Sequence, residues 1–281
     1  MWRTIDLFHD PTPEGLINQR YLITMMRLAQ LTDMTTEEGQ RFMDILLLVS
    51  KKLVATWRHY NAYVTLEDHL IKEAESEPAI ETQSVQRVSY SQDLFLEMDE
   101  FLYQVKSTLD YMVKIPVPLV GRGWNISTFG NKGGAVRKAL RRNLPKKFAS
   151  SAKLIEEQAL DLHKGWLEMI IEARDRLAHF LEGGASFEAM LVIKMMKDGK
   201  EVVHVPLWDE NTTMRHVMEV TFHNLLKMVE DFTAGFLTLR IREGLNLVHI
   251  PVKTFSVESP WKAVTPEQMS RIKGIEAAVI Y

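Results

Sequence analysis

The residues most suited to chemistry share one short string, Arg174-Asp175-Arg176-Leu177-Ala178-His179. Asp175 and His179 are four positions apart, so on a helix the carboxylate lies one turn from the imidazole. There it can orient the ring, fix its tautomer and favour its protonated form. Arg174 is rotated from His179 by roughly 140° at about 100° per residue, so the two flank one side of the helix without stacking. Arg174 also occupies a slot in the stripe Leu160, Leu167, Ile170, Leu177, Leu181 where an apolar residue belongs. A buried arginine is costly unless paired, and such departures from pattern mark functional sites, although a long stem can lie on apolar surface with its head in water. The bland alternative is a solvated face, since Glu168, Glu172, Asp175, His179 and Glu182 form a continuous polar stripe.

Other chemistries fare worse. The chain has no cysteine, which excludes disulfides, thiolate metal sites and a cysteine nucleophile. His216, Glu219 and His223 fall on one helical face and could share a cation, but no further ligand is evident, so no metal site is expected. The one Glu-x-x-His string, Glu201-Val-Val-His204, falls in a predicted hairpin, which excludes a ferritin-like di-iron bundle. No nucleophile elbow is present. Gly121-Arg-Gly-Trp is not a dinucleotide fingerprint and Gly130-Asn-Lys-Gly-Gly is not a complete phosphate loop. No cofactor is expected.

The elements that must position these residues are helical. With 281 residues, 46% of them hydrophobic, the chain has ample material for one large or two small cores. Apolar periodicity predicts helices from the Thr12-Pro13 cap to about Leu31, from Thr35/Thr36 to about Glu75, and from between Glu81 and Ser91 to Met112. A fourth runs from Ser151 to about Leu181 and a fifth from Asn211-Thr212 to about Arg242. Asp198-Gly199 between β-prone flanks predicts a hairpin over 187–208. The tail from 244 to 281, with Pro251, Pro260 and Pro266, reads as irregular. The class is mainly α: an antiparallel helical bundle with a β-hairpin insertion and a glycine-rich basic loop. Residues 1–78 are expected to pack on a bundle formed by 79–243.

Net charge is −3, but residues 111–155 hold ten basic side chains and no acid. Within the expected loop, 114–150, Lys132, Arg137, Lys138, Arg141, Arg142, Lys146 and Lys147 are candidate phosphate contacts, and Trp124 and Phe129 could stack on bases. A solvated loop explains the same residues. The first residues carry Asp6, Asp10 and Glu14 without an apolar run, and no stretch approaches a membrane span, so a cytoplasmic protein is expected.

The motif-bearing string resembles the signature of HEPN domains: Arg, a polar Asn, Asp or His, a few variable residues, then His. Arg174, Asp175 and His179 fill those positions. The setting is similar as well, with an earlier helix reading Phe101-Leu-Tyr-Gln-Val-Lys-Ser-Thr-Leu-Asp110, the motif helix and a closing helix, over about residues 90–242. The bare spacing also occurs at Arg3 to His9 and Arg242 to His249, but only Arg174 is followed by Asp inside an amphipathic helix.

The resemblance implies a metal-independent endoribonuclease in a toxin–antitoxin or defence system, with motifs of two domains facing each other, usually across a homodimer. His179 would take the proton of an RNA 2′-hydroxyl, which attacks the adjacent phosphorus, Arg174 would stabilise the phosphate oxygens, and Asp175 would orient His179. It also implies RNA and an antitoxin protein as partners. The alternative is a non-catalytic HEPN-like dimerisation or regulatory scaffold.

Overall fold

A computed structural model describes residues 8–79, 91–130, 133–179, 190–253, 256–272 and 279–280. The architecture is mainly helical with small antiparallel sheets. Its helices are α1 (Thr24–Ala29), α2 (Thr36–Ser76), α3 (Gln92–Met112), α4 (Val117–Val120), α5 (Gly134–Asn143), α6 (Ala149–Leu154), α7 (Lys164–His179), α8 (Met214–Leu237) and α9 (Pro266–Ile272). The strands are β1 (Ile193–Lys197), β2 (Lys200–His204), β3 (Leu207–Asp209), β4 (Thr212–Thr213), β5 (Asn246–His249), β6 (Trp261–Val264) and β7 (Val279–Ile280). No described helix is long and apolar enough to cross a membrane.

Side-chain caps set several helix starts. Thr35 Oγ1 accepts from the Glu38 amide at 3.3 Å while Glu38 Oε2 accepts from the Thr35 amide at 2.8 Å, a reciprocal capping box that opens α2. Thr265 and Gln268 repeat the arrangement at α9, and Thr213 Oγ1 accepts from the His216 amide at the start of α8. The β1–β2 hairpin turns at Asp198 and Gly199, both with positive φ (53° and 74°). Two such residues in succession give a turn whose twist matches its strands.

The chain divides into two units: residues 1–54, 105–168 and 223–281 form the first, and residues 55–104 and 169–222 the second. These units interleave along the sequence. The first unit buries Phe42, Leu109, Trp124, Phe129, Leu225 and Phe236. The second buries Tyr63, Met98, Phe101, Ile170, Met218 and Phe222, with Trp57 against Phe222 at 4.9 Å between ring centroids. It also buries Glu67, which Arg215 pairs at 2.5 Å.

Three sequence expectations change. The basic segment 114–150 is largely helical, carrying α4, α5 and the start of α6, because Val136, Ala139 and Leu140 give α5 a buried stripe. The tail is not irregular: β5 pairs antiparallel with both β6 and β7, burying Leu247, Val248 and Trp261. The first and fourth helices are interrupted by π-helical stretches, Ile17–Ile23 before α1 and Ile155–Asp161 between α6 and α7. The expected end of the fourth helix at 180–181 and residues 187–189 of the hairpin segment lie outside the described residues.

The second π-helical stretch brings Ile155 so close to α8 that a Cβ on Gly235 would lie 2.7 Å from Ile155 Cγ1. Gly235→Ala gains about 1 kcal/mol of helix propensity but overpacks a core where such insertions cost about 1–3 kcal/mol. A net loss of about 1 kcal/mol is expected in denaturant melts, and Ile155→Val should recover part of it.

Candidate functional site

Residues 164–179 form α7, so Arg174, Asp175 and the backbone of His179 stand on one helix as expected. Ile170 and Ala173 are buried, while Arg174 and Asp175 are partly exposed, with side-chain accessibilities of 26% and 45%. Arg174 is therefore not a core residue out of place. Its Nη1 donates to Asp175 Oδ1 at 3.1 Å, so that carboxylate engages the guanidinium beside it. The His179 side chain lies outside the described residues.

Asp99 on α3 also feels this arginine. Burial and the Glu100 charge push the Asp99 carboxyl above the ordinary range, and Arg174 opposes them. The second unit thus places a guanidinium and a carboxylate together on the accessible part of α7, with Asp99 near enough to interact electrostatically.

The basic segment belongs to the first unit. Arg137 binds Glu156 at 3.3 Å and Asp161 at 2.6 Å, and Arg141 binds Glu156 at 2.5 Å. Acids just past the segment thereby neutralise two of the cations proposed for phosphate. Lys138 and Arg142 instead line an open cavity of about 480 Å³ with Asn125, Ser127 and Thr128. Lys146 is exposed, whereas Lys132 and the Lys147 side chain lie outside the described residues. Trp124 and Phe129 do not stack on bases. Trp124 is 3% exposed and donates Nε1–H to the Val113 carbonyl at 2.7 Å, and Phe129 is fully buried.

A buried polar cluster in the first unit had no place in the sequence reading. Arg20, in the first π-helical stretch, donates Nε–H to Glu230 Oε2 at 2.7 Å, and its Nη2 lies at the same distance. Glu230 is fully buried, which pushes its carboxyl up to about 7 although Arg20 opposes the shift. Asp231 Oδ1 accepts from Trp261 Nε1 at 2.9 Å and lies 3.9 Å from His249 Nε2. Its Oδ2 lies 3.8 Å from Nε2 of buried His163. Trp166 Nε1 donates to His163 Nδ1 at 2.9 Å, so Nε2 is the nitrogen that carries hydrogen toward Asp231 in the neutral ring.

The same rule that singled out Arg174 marks this cluster: Glu230 and Asp231 interrupt an apolar run between Val229 and Phe232. Among the described residues no group of three or more His, Asp or Glu could hold a metal ion, and His216 is exposed while His223 is half-buried. Comparison with protein-family models, with curated proteins and with solved structures gives no match.

Proposed function

We propose that the chain is a HEPN-like, metal-independent endoribonuclease acting through Arg174, Asp175 and His179. The observation that carries this reading is the Arg174–Asp175 pair on the accessible part of α7, with the backbone of His179 four residues further along the same helix. In this mechanism His179 removes the proton from an RNA 2′-hydroxyl, and the alkoxide attacks the adjacent phosphorus. Arg174 offers a planar, permanently charged fork to the phosphate oxygens as charge builds on them. Asp175 positions the guanidinium it binds and acts on His179 through the i, i+4 spacing. Lys138 and Arg142, which line the cavity with Asn125 and Thr128, are the members of the basic segment best placed to hold RNA phosphates.

Attack by a 2′-hydroxyl leaves a 2′,3′-cyclic phosphate on the upstream fragment and a 5′-hydroxyl on the other. Total RNA incubated with the purified protein and excess chelator should yield fragments with those ends. Fragments with 5′-phosphates would contradict the mechanism, and RNA left intact across a panel of cellular RNAs would contradict the activity.

The second reading is a non-catalytic scaffold that pairs with a second copy of the chain. It is favoured by Leu96 and Tyr103, which lie two helical turns apart on α3 and are 47% and 51% exposed. A homodimer across this stripe would also suit the composite site of the first reading. Its cytoplasmic setting and an antitoxin partner belong to the same proposal.

A further inference from the structure

A cavity of about 370 Å³ opens in the first unit beside the buried cluster. Its polar lining comes from Arg20, His223, Asn224, Lys227 and His249, and each of these side chains can offer N–H groups. Among the described residues no carboxylate lines it. The two nearby acids lie behind the wall: Glu230 is fully buried against Arg20, and Asp231 sits 3.9 Å from His249. The remaining lining is apolar, formed by Pro251, Val252 and Pro260.

We propose that this cavity binds a small phosphomonoester, with the phosphate held by Arg20, Lys227, Asn224, His223 and His249 and the organic part set against Pro251, Val252 and Pro260. Five lining side chains that can donate suit the three terminal oxygens of a phosphomonoester better than the two oxygens of a carboxylate. The volume falls within the range of small-ligand sites and exceeds what a bare phosphate fills. Arg20 is held in advance. Its contact with Glu230 fixes the guanidinium, and it stands in a π-helical turn, a distortion that recurs at binding sites.

The electrostatics agree with an anion. Burial and then the charge of Arg20 hold the His223 imidazole down at about 4. Burial lowers His249 too, with Lys227 and Arg20 adding to the shift and Asp231 opposing it. A dianion in the cavity reverses the repulsion that keeps both rings neutral. Lowering the pH also protonates Glu230, which weakens the negative charge behind Arg20. A phosphomonoester stays dianionic above its second pKa of about 6, so its affinity should rise from pH 8 to pH 7, with uptake of protons on binding.

The test is calorimetric titration of the full chain with phenyl phosphate and with inorganic phosphate at both pH values. The expected result is saturable binding of phenyl phosphate, tighter than inorganic phosphate and tighter at pH 7 than at pH 8. Lys227→Met and His223→Gln should each weaken it about tenfold or more. Should either variant fail to fold, Asn224→Leu takes its place, with the same expected weakening. Absence of saturable binding overturns the proposal, as does binding that survives these variants but is lost in Lys138→Met, which would move the phosphate to the cavity beside α5. The result does not depend on whether the chain cleaves RNA.

Discussion

Alanine at His179 should lower the single-turnover rate of RNA cleavage by about 10²–10⁴-fold, the contribution of a positioned general base. Arg174→Ala should cost about 10²–10³-fold, comparable to removing one preorganised donor from a developing oxyanion. Arg174→Lys should recover little, because an ammonium keeps the charge but loses the fork that also binds Asp175. Asp175→Asn is the informative fourth variant. Its amide oxygen still accepts from Arg174 but has no net charge, so it should fall between wild type and the two alanine variants. A fluorogenic RNA in chelator, with circular dichroism spectra to confirm folding, gives all four rates. Rates equal to wild type in folded His179→Ala and Arg174→Ala would place the cleavage outside this motif, and absence of cleavage by every protein would favour the scaffold reading.

Arg20→Met should destabilise the protein by about 3–5 kcal/mol at pH 8, because it strands the fully buried Glu230 carboxylate without its cation. The loss should be distinctly smaller at pH 5, where the stranded carboxyl is protonated and neutral. The sign follows from linkage. Glu230 titrates near 7 in the folded protein, above its unfolded range, so between about 4.5 and 7 the native state holds a proton that the unfolded chain has released. Its contribution to stability therefore declines as pH rises through that window.

His223 acts in the opposite sense. It titrates near 4 when folded and near 6.5 when unfolded, so its contribution grows with pH across 4 to 6.5. The two slopes offset each other where they overlap. Glu230→Gln should thus steepen the rise in stability over pH 4.5–6.5 relative to wild type, and His223→Gln should expose a decline. Urea melts at several pH values measure both. Parallel profiles for wild type and Glu230→Gln would show that Glu230 does not titrate in that window.

What could be read from the chain was whatever neighbouring residues decide. The Thr35–Glu38 capping box, the Asp198-Gly199 turn and the long apolar period of α2 are local, and each appears where its residues put it. The short strands β5 and β6 were missed because their paired residues are twelve or more positions apart, and their partners appear only in the sheet register. In the basic segment, glycines and lysines masked the three apolar positions that make α5 a helix. Trp124 and Phe129 looked like exposed rings only because their surroundings were polar in sequence; in space they belong to the core.

The motif was legible as a string, and its helix was legible too, but the engagement of Asp175 by Arg174 is a rotamer choice that spacing does not encode. The buried cluster was hidden for another reason. Arg20 and Glu230 are 210 positions apart, and no local pattern says which buried charge will meet which.

That separation has a consequence for biosynthesis. Besides Arg20 with Glu230, Thr32 bridges to Ile241 and Asp33 binds Arg240, so one early stretch finds its partners only near the end of α8. A ribosome adding about 5–20 residues per second takes roughly 10–40 s to cover that distance. Throughout that interval Ile17, Tyr21 and Leu22, fully buried in the finished protein, emerge with none of the α8 surface against which to fold. The native contacts of this early stretch thus wait until α8 has been made, and its folding is tied to the completion of that helix.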